Sequence, residues 1–389
     1  MKVLHVIPSV SPKYGGPSQA LTAMCRALMA RGVEVQIAST DAEPFGHLGV
    51  ALESLTSYQR VPAIFFRRQL SEAFKYSGSM TRWLNRNVAR FDLVHIHGVF
   101  SHSCIAAARA CRRQRIPYLL RPLGNLDPWS LRQKSLRKKL FLNLGGRRML
   151  RHAAAIQYTS QSEKTLSECA LNLNHGVVIP LGVDIKTNGF AAANKSASAN
   201  QSGPYVLFLS RLQPTKGVEA LIDAFVAVKR EIRFREWKLV IAGDGPADYV
   251  DSLRRKISAY DARDFILLPG WLEGDAKAKA LREAALLALP SEHENFGLSV
   301  VEAMACGLPV LVSPQVALAP EIEAAGAGWI REAEPEALRI TLSEILGDEP
   351  ERQRRAEASG LLAARFDWRN VAQALAGLYE SVLRRAAGQ

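Results

Sequence analysis

The chain has 389 residues, of which 48% are hydrophobic and 22% charged, the balance of a globular protein rather than a disordered or fibrous one. That length exceeds what a single core usually supports, so two domains are expected. Lysine and arginine outnumber aspartate and glutamate by 50 to 37, and the net charge of +13 points to an anionic partner such as a phospholipid, a nucleic acid or a phosphorylated substrate.

Val3-Leu4-His5-Val6-Ile7 reads as a buried strand that follows directly on the N-terminus, with no signal-peptide pattern before it. Residues 8–16 form a loop, and Pro17-Ser18 opens a helix with Ala20, Leu21, Met24, Ala27 and Leu28 on one face, ending at Gly32. Residues 33–38 are the next strand, so the chain begins as a βαβ unit. The Gly15-Gly16 pair alone is a tight-turn signal. A GxGxxG fingerprint is absent there, which argues against a nicotinamide enzyme. Residues 92–98 read as a strand with His95 and His97 on the same face, so alternation cannot choose between them as a functional histidine.

Residues 119–129 are a strand and a loop punctuated by Gly124, Pro122 and Pro128. There Asn125 and Asp127 are of the residue types that make turns. From 132 to 151 the cations Arg132, Lys134, Arg137, Lys138, Lys139, Arg147, Arg148 and Arg151 occur without an acidic residue, interleaved with Leu131, Leu136, Leu140 and Phe141. This is the pattern of a basic amphipathic helix on a membrane surface, and also that of a solvated helix face. A nucleic-acid patch would bring a recognisable module with it, and none is present.

Residues 186–204 are small, polar and of low complexity, a linker or surface loop. The α/β pattern then restarts. Residues 205–209 are a strand, followed by a loop bearing Arg211 and Lys216 and a helix with Leu221, Ile222, Phe225 and Val228 on one face. Residues 239–246 and 265–272 repeat the strand-and-glycine plan, with Gly243 and Gly270 in the turns. Residues 284–289 and 310–312 read as buried strands. Between them lies a loop holding Glu294 and a helix holding Glu302, closed by Gly307 at its C-terminal end. Ser299-x-x-Glu302 also fits a capping box, which would make Glu302 structural. The helix start offers free amides suited to a phosphate. The chain ends with a helix from Val371.

The five cysteines lack CxxC spacing and fit reduced thiols in a cytoplasm. No run approaches the roughly eighteen apolar residues of a membrane span.

The S-E-x-E-x-F-G-L…E-A-M-A-C-G-L-P-V stretch over residues 291–310, with seven residues between Glu294 and Glu302, resembles the E-x7-E signature of retaining glycosyltransferases of family 4. The S-R-L-x-x-x-K-G run at 210–217, the H-x-H at 95–97 and the P-x-G-x-L-x-P-W at 122–129 resemble further segments of that family, its polysaccharide-building members included. Leu123 departs from the histidine many of those members carry. The resemblance implies a GT-B fold: two doubly wound Rossmann-like α/β domains facing across a cleft. It sets an acceptor domain at 1–185, the loop at 186–204 and a nucleotide-sugar domain at 205–365, with a tail at 366–389 packing back on the first domain.

By the same resemblance, His97, Glu294, Arg211 and Lys216 are the catalytic candidates. Donor contacts fall on Gly15, Gly16, Arg211, Lys216, Gly243, Gly270, Glu294, Asn295, Phe296, Gly297, Leu298 and Glu302, and acceptor contacts on Arg121, Asn125 and Asp127. The substrate would be a UDP-, GDP- or ADP-type nucleotide sugar, with no further cofactor. The absence of a D-x-D triplet predicts that no metal is needed. The acceptor would be a saccharide, lipid-linked in surface-polysaccharide assembly. An anionic membrane surface, and not nucleic acid, would be the partner, at the cytoplasmic face of the cell membrane. A GT-B epimerase or hydrolase, and a basic nucleic-acid-binding protein, are the competing readings.

Overall fold

The computed structural model describes residues 1–44, 46–185 and 203–388. The low-complexity segment read as a linker, 186–204, therefore lies almost wholly outside the described residues. The chain divides into two compact units, Met1–Gly182 with Trp368–Gln389, and Val183–Asp367.

The first unit is built on β1 (Lys2–Ser9), β2 (Glu34–Thr40), β3 (Leu55–Tyr58), β4 (Val61–Phe66), β5 (Leu93–His97), β6 (Tyr118–Arg121), β7 (Ala155–Tyr158) and β8 (Gly176–Val178). Their order is β8-β7-β6-β5-β1-β2-β4-β3, parallel apart from the edge strand β3. The chain winds outward from β1 in one direction, then returns to β5 and winds the other way. The strand order thus reverses between β1 and β5, the switch point of a doubly wound sheet. β1 and β5 are buried nearly throughout, as parallel strands covered on both faces must be, though they carry His5, His95 and His97 among their apolar residues.

The helix after β1, α1 (Gly16–Met29), begins one residue before Pro17, with Gly15 as its cap at φ 94°. Two further helices of this unit, α2 (His102–Gln114) and α3 (Gln161–Leu171), follow β5 and β7. The basic stretch differs from one continuous amphipathic helix. It forms Pro128–Arg132, then Ser135–Phe141, a wide turn at Leu142–Gly146, and Arg147–Arg151. Lys134 at φ 52° and Gly145 at φ 138° are the breaks, because neither conformation continues a right-handed helix.

The second unit holds β9 (Tyr205–Leu209), β10 (Lys238–Ala242), β11 (Ile266–Gly270), β12 (Leu286–Leu289), β13 (Val310–Val312) and β14 (Gly328–Ile330). All pair in parallel in the order β11-β10-β9-β12-β13-β14, so the switch point here lies between β9 and β12. The helices used below are α4 (Val218–Val228), α5 (Gly274–Glu283) and α6 (Leu298–Ala305). The last helix, α7 (Trp368–Ala387), is the part of the chain that returns to the first unit, where it packs against α1.

A polar layer lies between that sheet and those two helices. His5 and His95 are directly opposed on β1 and β5, and His97 is opposed by Arg121 on β6, so all four share one face. All four are fully buried. His5 Nδ1 lies 2.9 Å from His97 Nε2, and His95 Nδ1 lies 2.8 Å from the Tyr379 hydroxyl of α7. Burial first, and the Arg121 guanidinium second, push His5 down to about 3. His95 and His97 are pushed well below the usual imidazole range by burial, neighbouring imidazoles and Arg121.

Tyr379→Phe removes the one partner that His95 Nδ1 has among the described residues, and is expected to cost about 1–3 kcal/mol for the orphaned buried group. Denaturant titration checks this, and a loss under about 0.5 kcal/mol would contradict it. The imidazoles are neutral in the folded chain, while the unfolded chain takes up protons as pH falls through 6.5. The stability contribution of His5 is therefore whole above that pH and declines between 6.5 and about 3, and those of His95 and His97 likewise decline as pH falls below 6.5. Melting temperature should drop from pH 7 to pH 5, and less steeply in His5→Gln; parallel slopes would refute the assignment.

Candidate functional site

The residues singled out by the sequence divide between the two units. In the second unit, two loops emerge from the carboxyl ends of the adjacent strands β9 and β12, where the strand order reverses and open sheets bind ligands. The first loop turns through a short 3-10 helix, Pro214–Lys216. Gly217 then adopts φ 70°, and a Cβ there would stand 2.0 Å from the Pro290 carbonyl oxygen. No other residue type allows the loops so close. Contact is sealed by the Glu292 amide, which donates to Thr215 O at 2.9 Å.

That approach brings Lys216 and Glu294 together. Lys216 Nζ lies 2.6 Å from Glu294 Oε2 and donates to His293 O at 3.2 Å. Glu294 Oε1 accepts the Gly297 amide at 3.2 Å. Burial pushes the Glu294 carboxyl up, but the Lys216 ammonium and the amides of Phe296 and Gly297 outweigh it, and its pKa falls below the usual value. The backbone of Glu294 is held as well: its amide donates to Gln315 O and its carbonyl accepts from Ala317 N, a one-residue parallel bridge. Phe296 is buried against Phe366, ring centroids 5.9 Å apart. Asn295 and Leu298 stay partly accessible on either side of it.

Gly297, at φ 80°, caps α6, so Ser299 lies inside the helix and the Ser299–Glu302 capping box does not form. Gly307 closes the helix at φ 66°, its amide on Met304 O and that of Leu308 on Ala303 O. In the first turn of α6 the amides of Val300 and Val301 donate to Gly297 O at 2.9 and 3.2 Å, which leaves those of Leu298 and Ser299 without an intrahelical acceptor among the described residues. Glu302, one helical turn further on, pairs with Lys277 of α5 at 2.7 Å. Sequence reasoning missed Lys277, a single lysine on a separate helix with no local pattern around it.

Arg211 is exposed, and no side-chain hydrogen bond or ion pair of it occurs among the described residues. Gly243 ends β10 with its amide on Gly270 O at 2.8 Å. A Cβ on Gly243 would stand 1.9 Å from Ser210 O, so this glycine lets the turn pack under the Arg211 loop. Gly270 has open space where a Cβ would be.

In the first unit, Gly15 and Gly16 form the start of α1 after β1, at that sheet's own switch point. His97 sits inside the buried polar layer, stacked on His5 at 5.2 Å, and Arg121 is sealed in the same layer. The side chain of Asn125 donates to the carbonyls of Pro122 and Leu123, and Asp127 caps the helix at Pro128 by accepting the Ser130 amide. Both residues therefore build the turn that the sequence offered as one of two roles. The loop is tied down by Glu163, which accepts from Gly124 N at 2.8 Å and Thr159 N at 2.7 Å. Its signal, Ser160-x-x-Glu163 at the start of α3, was available in the sequence.

Among the described residues, His5, His95 and His97 are the group whose nitrogens lie close enough to share a metal ion, within 4.8 Å of one another. Arg121 in the same layer places positive charge against a cation there.

Two family models match the chain: glycosyl transferase 4-like domain over residues 15–182, and glycosyl transferases group 1 over residues 191–360. A phosphatidyl-myo-inositol mannosyltransferase of Mycobacterium tuberculosis (strain ATCC 25618 / H37Rv) is 31% identical over 213 residues, 53% of this chain and 54% of that protein. The chain thus spans about half the length of that curated relative. A D-inositol 3-phosphate glycosyltransferase of Xylanimonas cellulosilytica is 25% identical over 99% of this chain and 97% of its own. The crystal structure of Anabaena HepE in complex with UDP-glucose superposes with a TM-score of 0.77 at 22% identity, covering 98% of this chain and 100% of that one. At that identity the likeness shows the fold, two Rossmann-like α/β domains of the GT-B type.

The Lys216–Glu294 pair is the site's electrostatic centre. Lys216→Gln strands a carboxylate whose side chain is 21% exposed, and is expected to cost about 1–3 kcal/mol, below the 3–5 of fully buried pairs. Adding Glu294→Gln should recover about 1 kcal/mol or more in a double-mutant cycle by denaturant titration. Strictly additive losses would show that the two groups are uncoupled.

Proposed function

We propose that this chain, which belongs to the glycosyltransferases matched by the 4-like model over residues 15–182 and the group 1 model over residues 191–360, moves a sugar, with retention of anomeric configuration, from a nucleotide-diphosphate sugar to a saccharide acceptor. The observation that carries this reading is the ion pair Lys216–Glu294 beside the start of α6, at the carboxyl ends of β9 and β12.

A lysine ammonium has three N–H donors. Glu294 and His293 O take two of them, so the third serves a phosphate oxygen without dismantling the pair. Arg211, unengaged and exposed in the same loop, supplies a second cation. When the bond from the sugar's anomeric carbon to the diphosphate oxygen breaks, negative charge grows on that oxygen, and Lys216, Arg211 and the α6 amides stabilise it. The acceptor hydroxyl bonds to the anomeric carbon on the face the diphosphate leaves, and its proton passes to the departing phosphate. Glu294 keeps its charge, accepts hydrogen bonds from the sugar's hydroxyls and fixes the ring. Glu302, paired with Lys277, accepts from the ribose. No metal enters this scheme, since side-chain cations and helix amides carry the diphosphate charge.

The acceptor is lipid-linked, and the protein works as a peripheral enzyme at the inner face of a membrane. Supporting this, the basic stretch turns Leu136, Leu140 and Leu144 outward, 81%, 59% and 66% exposed, among Arg137, Lys139, Arg147 and Arg151. Exposed leucines with flanking cations suit an anionic bilayer. Lys138 is not part of that face: its ammonium bonds Ser130 and lies 4.9 Å from the Phe100 ring centre. The Mycobacterium tuberculosis relative is named for a lipid substrate.

Glu294→Ala should lower turnover on the order of 10²-fold, as loss of a positioned transition-state group does. Lys216→Ala should weaken nucleoside-diphosphate binding more than nucleoside binding in calorimetric titration. Near-normal turnover in the first variant, or equal binding losses in the second, would reject these roles.

A further inference from the structure

A pocket of about 490 Å³ in the first unit lies apart from the Lys216–Glu294 site and the buried histidine layer, at the edge of the basic stretch. Its size is within the range of small-molecule sites. One wall is α2, where Arg109, Arg112 and Arg113 recur at helical spacing on one face. The opposite wall is the wide turn and the helical segment after it, with Leu144 on the first and Arg148 on the second. Ile105, Ala108 and Met149 add apolar lining, and no carboxylate takes part. None of the four arginines enters an ion pair among the described residues, and Arg109 makes one long hydrogen bond, to Leu144 O at 3.5 Å.

Four unpaired guanidinium groups repel one another unless an anion sits among them. Helix polarity accounts for Arg112 and Arg113, which lie in the last turn of α2. It accounts for neither Arg109, a turn earlier, nor Arg148, on a different segment. Guanidinium groups bind phosphate oxygens in pairs, a geometry that lysine lacks. Leu144 is the second clue. It lines the pocket and is also the last of the exposed leucines spaced four residues apart. An apolar ridge thus runs to the mouth of a cationic pocket. A soluble anion has no use for the ridge, whereas a lipid has both a charged head and an apolar body.

We infer that this pocket receives the phosphate-bearing headgroup of an anionic phospholipid, while Leu136, Leu140 and Leu144 enter the acyl region beside it. The inference rests on the membrane reading given above and deepens it: bulk positive charge attracts the bilayer, and this pocket fixes where on the protein a phosphate docks.

The test is co-sedimentation of the full chain with vesicles of phosphatidylcholine alone and of phosphatidylcholine mixed equally with phosphatidylglycerol. Two double variants lose the same charge, Arg112→Gln with Arg148→Gln inside the pocket, and Arg137→Gln with Arg151→Gln outside it. Diffuse attraction costs about fivefold in binding per basic residue, so by that alone the two would weaken equally. The pocket double is expected to lose at least a further tenfold on the mixed vesicles. The charge-preserving double Arg112→Lys with Arg148→Lys should also bind less well than the wild type, and unchanged melting temperatures confirm folding. Equal losses for the two glutamine doubles would overturn the pocket and leave the membrane reading standing. Failure of the wild type to bind mixed vesicles would overturn both. Stabilisation by glycerol 3-phosphate that the pocket double abolishes, with equal vesicle losses, would overturn the lipid and assign a soluble anion.

Discussion

One ion pair, Lys216 with Glu294, sets the geometry on which the rest of the second unit's site depends. It exists because two loops leave neighbouring parallel strands at the reversal of strand order, and because Gly217 lets one backbone pass against the carbonyl of Pro290. Once formed, the pair holds a carboxylate ionised beside a helix start. The loop is fixed from three sides: through Thr215, through the strand-like bridge to Val316, and through the buried Phe296 ring. A site held this way needs little reorganisation when charge develops within it.

The first unit spends its polarity differently. Its central strands carry His5, His95 and His97 into full burial, kept neutral by desolvation and by Arg121. Tyr379, from the far end of the chain, gives the layer one of its few hydrogen bonds. The last helix is therefore not a bare apolar lid: its seating on the sheet is specified by a polar contact as well as by packing. Such layers cost free energy where nitrogens stay unpaired, as His5 Nε2, His95 Nε2 and His97 Nδ1 do among the described residues.

Much of this was legible in the sequence, for identifiable reasons. Buried parallel strands announce themselves as continuous apolar runs, and the βα loops between them place Lys216 and Glu294 with no knowledge of packing. The partner of Glu302 was not legible, because Lys277 reaches it from another helix and pairing across that distance leaves no periodic trace. The Ser299–Glu302 spacing suggested a cap, yet the helix starts earlier, at a glycine, and the glutamate turns to the lysine instead. The cationic stretch read as one helix because periodicity ignores single residues at positive φ, and Lys134 and Gly145 break it into pieces. Alternation could not separate His95 from His97, and the structure gives the physical reason: both lie in the same buried layer. For Asn125 and Asp127, residue type fitted a turn and the family resemblance an acceptor contact, and the local hydrogen bonds are those of the turn. The arginines of α2 escaped notice because their significance lies in meeting Arg148 across a pocket.

The central claim is that the paired loops of the second unit grip an activated sugar through its diphosphate. The most direct measurement is the melting temperature of the full chain with UDP-, GDP- and ADP-sugars in turn, and with single-stranded RNA. The account predicts that one class of nucleotide sugar raises it in a concentration-dependent way, by mass action on the folded state, and that RNA does not. Silence from every nucleotide sugar, together with a salt-sensitive response to RNA, would contradict it.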